Sequence, residues 1–186
     1  MNKDISSGYP LINRNDSVLV IIDMQEKLVP AVAEKELIIE NTVRLVKFSR
    51  IIGLPVVITE QQKLGDTVPV IRQELSEAKP IAKMHFNCFG ADAFSEEIRR
   101  LGRNTLILAG IEAHICVTQT ALHAVPDFRV HVVSDAISSR SNRNYEVAIM
   151  RMQQCGVTIT STEMVIYELL EKAGTGEFKE VLKLVK

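Results

Sequence analysis

Apolar residues in this chain fall into two alternating kinds of segment. Short unbroken runs, VLVII (18–22), VVI (56–58), TLILA (105–109) and VHVV (130–133), carry almost no polar alternation. A strand buried on one face alternates, and one buried on both does not, so these runs predict strands of a parallel sheet covered on each side. Between them lie stretches with helical spacing, each closed by a glycine and followed by a β-branched run. VRLVKFSRIIG leads into LPVVITE, FSEEIRRLG into RNTLILAG, and YEVAIMRMQQCG into VTIT. The glycines stand where a helix needs a left-handed residue to end it. Basic residues crowd two of these helix ends, which suits the helix dipole. The alternation predicts a three-layer α/β/α sandwich with a mostly parallel central sheet, Rossmann-like in character.

The length of 186 residues suits one domain over 1–186. No linker, low-complexity tract or solenoid repeat interrupts it. The segment VPVIRQELSEA reads as an amphipathic helix that suits an interface or solvent, and KAGTGEFKEVLKLVK reads as a closing helix after a Gly-rich turn.

Composition narrows the function. Lys plus Arg is 22 and Asp plus Glu is 23, for a net charge of −1, which gives no footing for nucleic acid or an anionic membrane. No apolar run approaches a membrane span. The polar start, MNKDISSGYPLINRND, lacks a secretory apolar stretch, so a cytosolic protein is expected. Three cysteines, Cys88, Cys116 and Cys155, with no CxxC pair, argue against a disulfide framework or a zinc ribbon.

In open parallel sheets, ligands bind at the carboxyl ends of the strands. Three residues meet that placement. Asp23 closes the first strand; a carboxylate there either caps the next segment or does chemistry. Lys83 follows the short run KPIAK, where the bland alternative is a solvated strand end. Cys116 opens the helix CVTQTALHA after the strand that ends near Gly110, where a helix N-terminus favours thiolate. The alternative for any cysteine is core filling, and Cys155, just before Gly156, is the better candidate for that role. Cys88 fits either. Together a thiol, a carboxylate to take its proton and a cation to hold the carboxylate ionised make a nucleophile, a base and an orienting charge.

The segments VLVIIDMQEKL (18–28), IAKMHFNCFG (81–90), LAGIEAHICVTQTALHA (108–124) and FRVHVVSDAISSR (128–140) together resemble the isochorismatase-like cysteine hydrolases. The likeness covers about residues 16–170, and TEQQKLGDTVPVI resembles the branch of short isochorismatase-domain proteins. It implies a triad of Asp23 as base, Lys83 as orienting cation and Cys116 as nucleophile on an acyl or amide carbon. It also implies an oxyanion hole from the backbone N–H groups of Glu112 and Cys116, with a cis peptide at Ile111–Glu112, and a homo-oligomer acting on a small molecule. The metal-binding histidine of nicotinamidases is missing from TEQQKLGDTVP, and the four histidines show no paired ligand spacing, so no metal and no cofactor are expected. The thiol favours acyl chemistry over vinyl-ether hydrolysis by an isochorismatase proper, although that reaction and a catalytically quiet scaffold remain alternatives. Asn87 stands where relatives often carry Ser. Gln25, Gln61, Phe86, Phe89, His114 and Ile115 lie near the triad in sequence and are candidates to line a substrate pocket; for the apolar ones, ordinary packing is the alternative.

Other fragments carry less. AGTGEF lacks the third glycine of a nucleotide loop, SDAISSR has no nucleophile elbow around it, and EIRRLGR reads as a solvated helix face.

Overall fold

The computed structural model of the protein describes residues 11–75 and 78–185. The polar start ahead of Leu11 lies outside them. Six strands form one parallel sheet: β1 (Ser17–Ile22), β2 (Val56–Gln61), β3 (Ile81–Lys83), β4 (Thr105–Ile111), β5 (Arg129–Ser138) and β6 (Thr158–Thr160). Their order is β3-β2-β1-β4-β5-β6, and every pair is parallel. The chain moves outward from β1 to one edge, then returns to the centre and moves outward to the other. The reversal falls between β1 and β4, so the crevice beyond their carboxyl ends is the fold's natural site.

The helices that cover the sheet are α1 (Lys35–Ile52), α2 (Pro69–Arg72), α3 (Asp92–Leu101), α4 (Thr118–Ala124), α5 (Asn142–Gln154), α6 (Thr162–Leu170) and α7 (Gly176–Val185). All six residues of β1 are buried. Leu19 and Ile21 face a core with Phe48 of α1, Ile166 of α6 and Val181 of α7. Val18, Val20 and Ile22 face the opposite core, with Phe94 of α3, Ala121 of α4 and Met152 of α5. Burial of each large apolar side chain contributes about 1.5–3 kcal/mol, so both faces must be apolar and the strand cannot alternate. That is the three-layer sandwich predicted from the runs.

Gly53 and Gly102 end α1 and α3 in the left-handed conformation, as the spacing predicts. Two expectations fail. The helix expected over 68–78 is only α2 plus a 3-10 turn at Gln73–Leu75, with residues 76–77 outside the description. Cys155 is exposed at the end of α5, because Met152 takes the core position one turn earlier; the buried thiols are Cys88 and Cys116. No helix among the described residues is long and apolar enough to cross a membrane.

Candidate active site

Asp23 is the residue after β1, and it is fully buried with a left-handed φ of 54°. Its N–H donates to Thr59 O at 3.2 Å, continuing the β1–β2 ladder one step past Ile22↔Thr59. The Thr59 hydroxyl returns the contact, donating to Asp23 Oδ1 at 2.8 Å. Lys83, the last residue of edge strand β3, donates from Nζ to Asp23 Oδ2 at 2.7 Å, and both side chains are fully buried. Its Nζ also reaches Gln61 Oε1 at 2.9 Å and the His85 carbonyl at 3.2 Å. An ammonium has three N–H groups, and these acceptors take all of them. The Lys83–Cys116 contact, Nζ to Sγ at 3.8 Å, is therefore a charge facing a thiol rather than a further strong hydrogen bond. Burial of a lone Lys or Asp would be costly, and each is here the other's counter-ion. Lys83 is no solvated strand end.

Cys116 reaches this pair because β4 and β1 approach unusually closely. Ile22 is in register with Gly110, whose φ is +134°. A Cβ at Gly110 would lie 2.1 Å from the Ile22 carbonyl oxygen, a distance no side chain tolerates. The β4–β5 register also shifts between Leu108 and Gly110. The chain then turns through Glu112, left-handed at φ 57°, into a π-helical turn at Ala113–Val117 that continues as α4. Cys116 sits inside that turn, 5% exposed. Two non-glycine residues with positive φ, Asp23 and Glu112, thus flank the crevice between β1 and β4, where backbone strain commonly accompanies function.

Two expectations need correction. There is no cis peptide bond among the described residues; the turn is made instead by Glu112 in the left-handed region. The Cys116 thiol is not held as a thiolate. Burial pushes its pKa up, the neighbouring Asp23 charge pushes it further, and Lys83 only partly opposes them. The dipole of the turn and of α4 does not reverse that balance. Cys88, behind the site, is pushed up to about 11 by burial, despite Thr120 donating toward it. Its Sγ lies 3.9 Å from the Thr59 hydroxyl and its N–H donates to Thr120 Oγ1 at 3.0 Å.

The remaining candidates separate. Gln61 is at the site, joining Lys83 to the Met84 carbonyl, to which its Nε2 donates at 2.8 Å. Gln25 is buried, and its amide is spent on the loop after β2: Oε1 accepts from Gln61 N, and Nε2 donates to Gln61 O and Gly65 O. It staples that loop rather than lining a pocket. Phe89 packs with Phe94, His123 and Phe128, with ring centroids 4.9 to 5.9 Å apart, inside the α3–α4 layer. Phe86 and Met84 are both exposed on the loop after Lys83. His114 turns toward the end of β5, its Nδ1 3.0 Å from Ser139 Oγ and 3.3 Å from Glu112 Oε2. Ile115 is half-buried against the α3–α5 core. Asn87 caps the short turn Cys88–Gly90 by accepting from Phe89 N.

Sequence reasoning passed over Thr59, the His85 carbonyl, the Glu112 carboxylate and Arg140. The lone Thr that interrupts the apolar run of β2 was the available signal for the first. The His85 loop is held by close packing, since a Cβ at Gly90 would lie 2.5 Å from His85 Cγ. Among the described residues no three His, Cys, Asp or Glu side chains cluster as metal ligands would.

Residues 17–164 match the family model described as the isochorismatase domain. The chain is 38% identical over 189 residues to the human isochorismatase domain-containing protein 2, covering 98% of this chain and 90% of that one. It is 36% identical to the secreted isochorismatase effector Isc1 of Phytophthora sojae, covering 92% and 85%. Among solved structures, the MAR1 ribonuclease from Caenorhabditis elegans superposes with a TM-score of 0.88 at 36% identity over 95% of this chain and 92% of that one. The octameric YcaC hydrolase of unknown specificity from Escherichia coli gives 0.90 at 24% identity, over 96% and 92%.

Proposed function

The chain belongs to the isochorismatase family, and from that premise we propose that it is a metal-independent cysteine hydrolase of a small amide or related acyl compound. One observation carries the reading: the fully buried Asp23–Lys83 pair with the Cys116 thiol 3.8 Å from its ammonium. Asp23 supplies the base, Lys83 keeps that base ionised, and Cys116 supplies the nucleophile.

The resting thiol is neutral, so proton removal accompanies attack. Sγ adds to the carbonyl carbon as its proton passes to Asp23, and the carbonyl electrons move onto oxygen. The backbone N–H groups of Glu112, ahead of the turn, and of Cys116, within it, receive that oxyanion. Collapse expels the amine or alcohol, which takes the proton from Asp23, and leaves a thioester. Water then gives its proton to Asp23 and attacks the thioester, and the proton returns to sulfur as the acid departs. Placing the charge of Lys83 beside both partners stabilises the carboxylate before transfer and the developing thiolate during it. The exposed Met84 and Phe86, on the loop carrying the His85 carbonyl, offer apolar surface to the substrate.

A net charge of −1 suits a small molecule better than nucleic acid. We assign the chain a homo-oligomeric assembly and a cytosolic setting, where thiols stay reduced.

The test uses p-nitrophenyl acetate, whose activated ester acylates an accessible catalytic thiol. Release of p-nitrophenolate with one acetyl group found on the Cys116 peptide is expected, and Cys116→Ala should abolish it without lowering the melting temperature appreciably. Acetylation confined to the exposed Cys155, or release that survives Cys116→Ala, overturns the reading.

A further inference from the structure

Glu112 is an improbable residue for its place unless its side chain has a task. It has a left-handed backbone, which glycine or asparagine adopts more easily. Its carboxylate is almost wholly buried, which an apolar or neutral side chain tolerates better. One oxygen, Oε1, is paired with Arg140 Nε. The other, Oε2, is buried without a hydrogen-bond partner among the described residues, with His114 Nδ1 at 3.3 Å but not aligned to donate. Strain, burial and an unsatisfied oxygen on one residue do not arise from selection for stability.

Arg140 comes from a firmly anchored base. The Ser138 hydroxyl donates to Ala33 O at 2.7 Å, and Ala33 N donates to Ser139 O at 3.3 Å, fixing the end of β5 to the chain ahead of α1. Ser139, also buried, meets His114 Nδ1 at 3.0 Å. The residues following β5 thus grip the turn that leads from β4 to the thiol at two points, Glu112 and His114. These groups lie on the side of the turn toward β5, whereas Lys83 approaches Cys116 from β3.

We infer that Arg140 is a positioning residue for acyl transfer: through the Glu112 carboxylate it holds the peptide N–H of Glu112 in the orientation that receives the oxyanion. The inference rests on the proposed acyl transfer to Cys116 and adds to it a device outside the triad. The Arg140 guanidinium is largely solvent-exposed, so its removal perturbs the turn without excavating the core.

Two probes separate orientation of the turn from reactivity of the thiol. p-Nitrophenyl acetate needs both a nucleophile and an oxyanion site; iodoacetamide alkylates sulfur by displacement and forms no oxyanion. In Arg140→Ala the acylation rate constant should fall about 10- to 100-fold, since loss of a whole oxyanion donor costs about 100- to 1,000-fold. Alkylation of Cys116 should stay within about twofold of wild type. Arg140→Lys, which keeps a cation near Glu112, should recover most of the loss. If Arg140→Ala fails to fold, Glu112→Gln, which keeps an acceptor for Arg140 but not the charge, should give the same split with a smaller fall in acylation. Unchanged acylation in the variant that folds, or a parallel fall with both probes, overturns the inference while leaving the nucleophile intact. A wild-type protein that iodoacetamide alkylates at Cys116 but that p-nitrophenyl acetate does not acylate there removes the acyl-transfer reading itself, and this inference with it.

Discussion

Replacing Asp23 with asparagine should make Cys116 more reactive toward an alkylating agent while destroying hydrolysis. The thiol is held neutral first by burial and next by the Asp23 charge, with Lys83 pulling the other way. Asparagine keeps the shape and removes the charge. Burial remains, and Lys83, whose Nζ is 3.8 Å from Sγ, then acts without its counter-ion. A unit charge at roughly 4 Å contributes about 4 kcal/mol at an effective dielectric of about 20, equivalent to about three pH units. The carboxamide dipole and the surrounding hydrogen bonds offset part of that, so a fall of about two units in the Cys116 pKa is expected.

A lower pKa raises the thiolate fraction about tenfold per unit, but it also lowers the intrinsic nucleophilicity of the sulfur. The net gain is about threefold per unit, or about tenfold overall, at a pH below both pKa values. The assay is iodoacetamide labelling of the folded protein across about pH 6–9, with the Cys116 peptide quantified by mass and Cys88 as a buried reference. Access to the sulfur is common to both proteins and cancels in the ratio. The variant strands a buried ammonium, so a stability loss of about 3–5 kcal/mol is expected and must be checked by melting before rates are compared. A folded Asp23→Asn protein whose Cys116 is alkylated more slowly than wild type throughout would refute the claim that Asp23 opposes the thiolate. Hydrolysis retained within about tenfold would refute its role as base.

Three further outcomes follow from particular contacts. Cys88 is pushed up to about 11 from 9.0, so the folded state keeps a proton that the unfolded state releases. Stability should therefore be complete below about pH 9 and fall by up to about 1.4 kcal/mol per pH unit between about pH 9 and 11, with Cys116 adding to the slope. Urea midpoints should show the fall, and Cys88→Ala should reduce it; an identical slope in the variant counts against the assignment. Gly110→Ala should destabilise by more than about 3 kcal/mol or prevent folding, because the new Cβ meets the Ile22 carbonyl oxygen at 2.1 Å and that atom belongs to a central strand; a loss below about 1 kcal/mol by urea unfolding would show that the strands can part. Thr59→Val should cost about 1–3 kcal/mol by removing a buried donor to Asp23 Oδ1 and should slow acylation by p-nitrophenyl acetate, with Thr59→Ser restoring both; equal rates in Val and Ser variants would dismiss the hydroxyl.

The layers were legible because they follow from burial alone. A run such as VLVII has apolar residues at every position because Leu19 and Ile21 meet one core while Val18, Val20 and Ile22 meet the other. Lys83 illustrates what burial patterns do not show. Its short strand at the sheet edge reads as half polar, and nothing local says that the ammonium folds inward to meet a carboxylate contributed 60 residues earlier. Placement at a strand end, together with the need of a buried carboxylate for a cation, made Lys83 a candidate, and the combined motifs of the resemblance singled it out. The 68–78 segment shows the converse, since an amphipathic spacing alone does not sustain a helix beyond its first turn.

Around the site, nearness in sequence proved a poor guide to nearness in space. Gln25 and Phe89 lie two and six residues from Asp23 and Lys83, yet one amide is consumed by the loop after β2 and one ring is stacked inside a helix layer. Side-chain direction and hydrogen-bond demand decide such cases, and neither is written in a spacing. The same holds for the thiol. A cysteine after a strand and before a helix suggests a lowered pKa only if the dipole is the dominant influence, and here burial first and the neighbouring carboxylate second outweigh it. That reversal makes mechanistic sense. A buried thiolate beside a buried ammonium would leave Asp23 without its counter-ion and the site without a base, whereas a neutral thiol leaves the carboxylate charged and able to take the proton as the sulfur attacks. The negative charge thus rests on the carboxylate beside Lys83 and passes through the sulfur to the oxyanion as the bond forms. The arrangement also ties nucleophilicity to the moment when Asp23 accepts the proton.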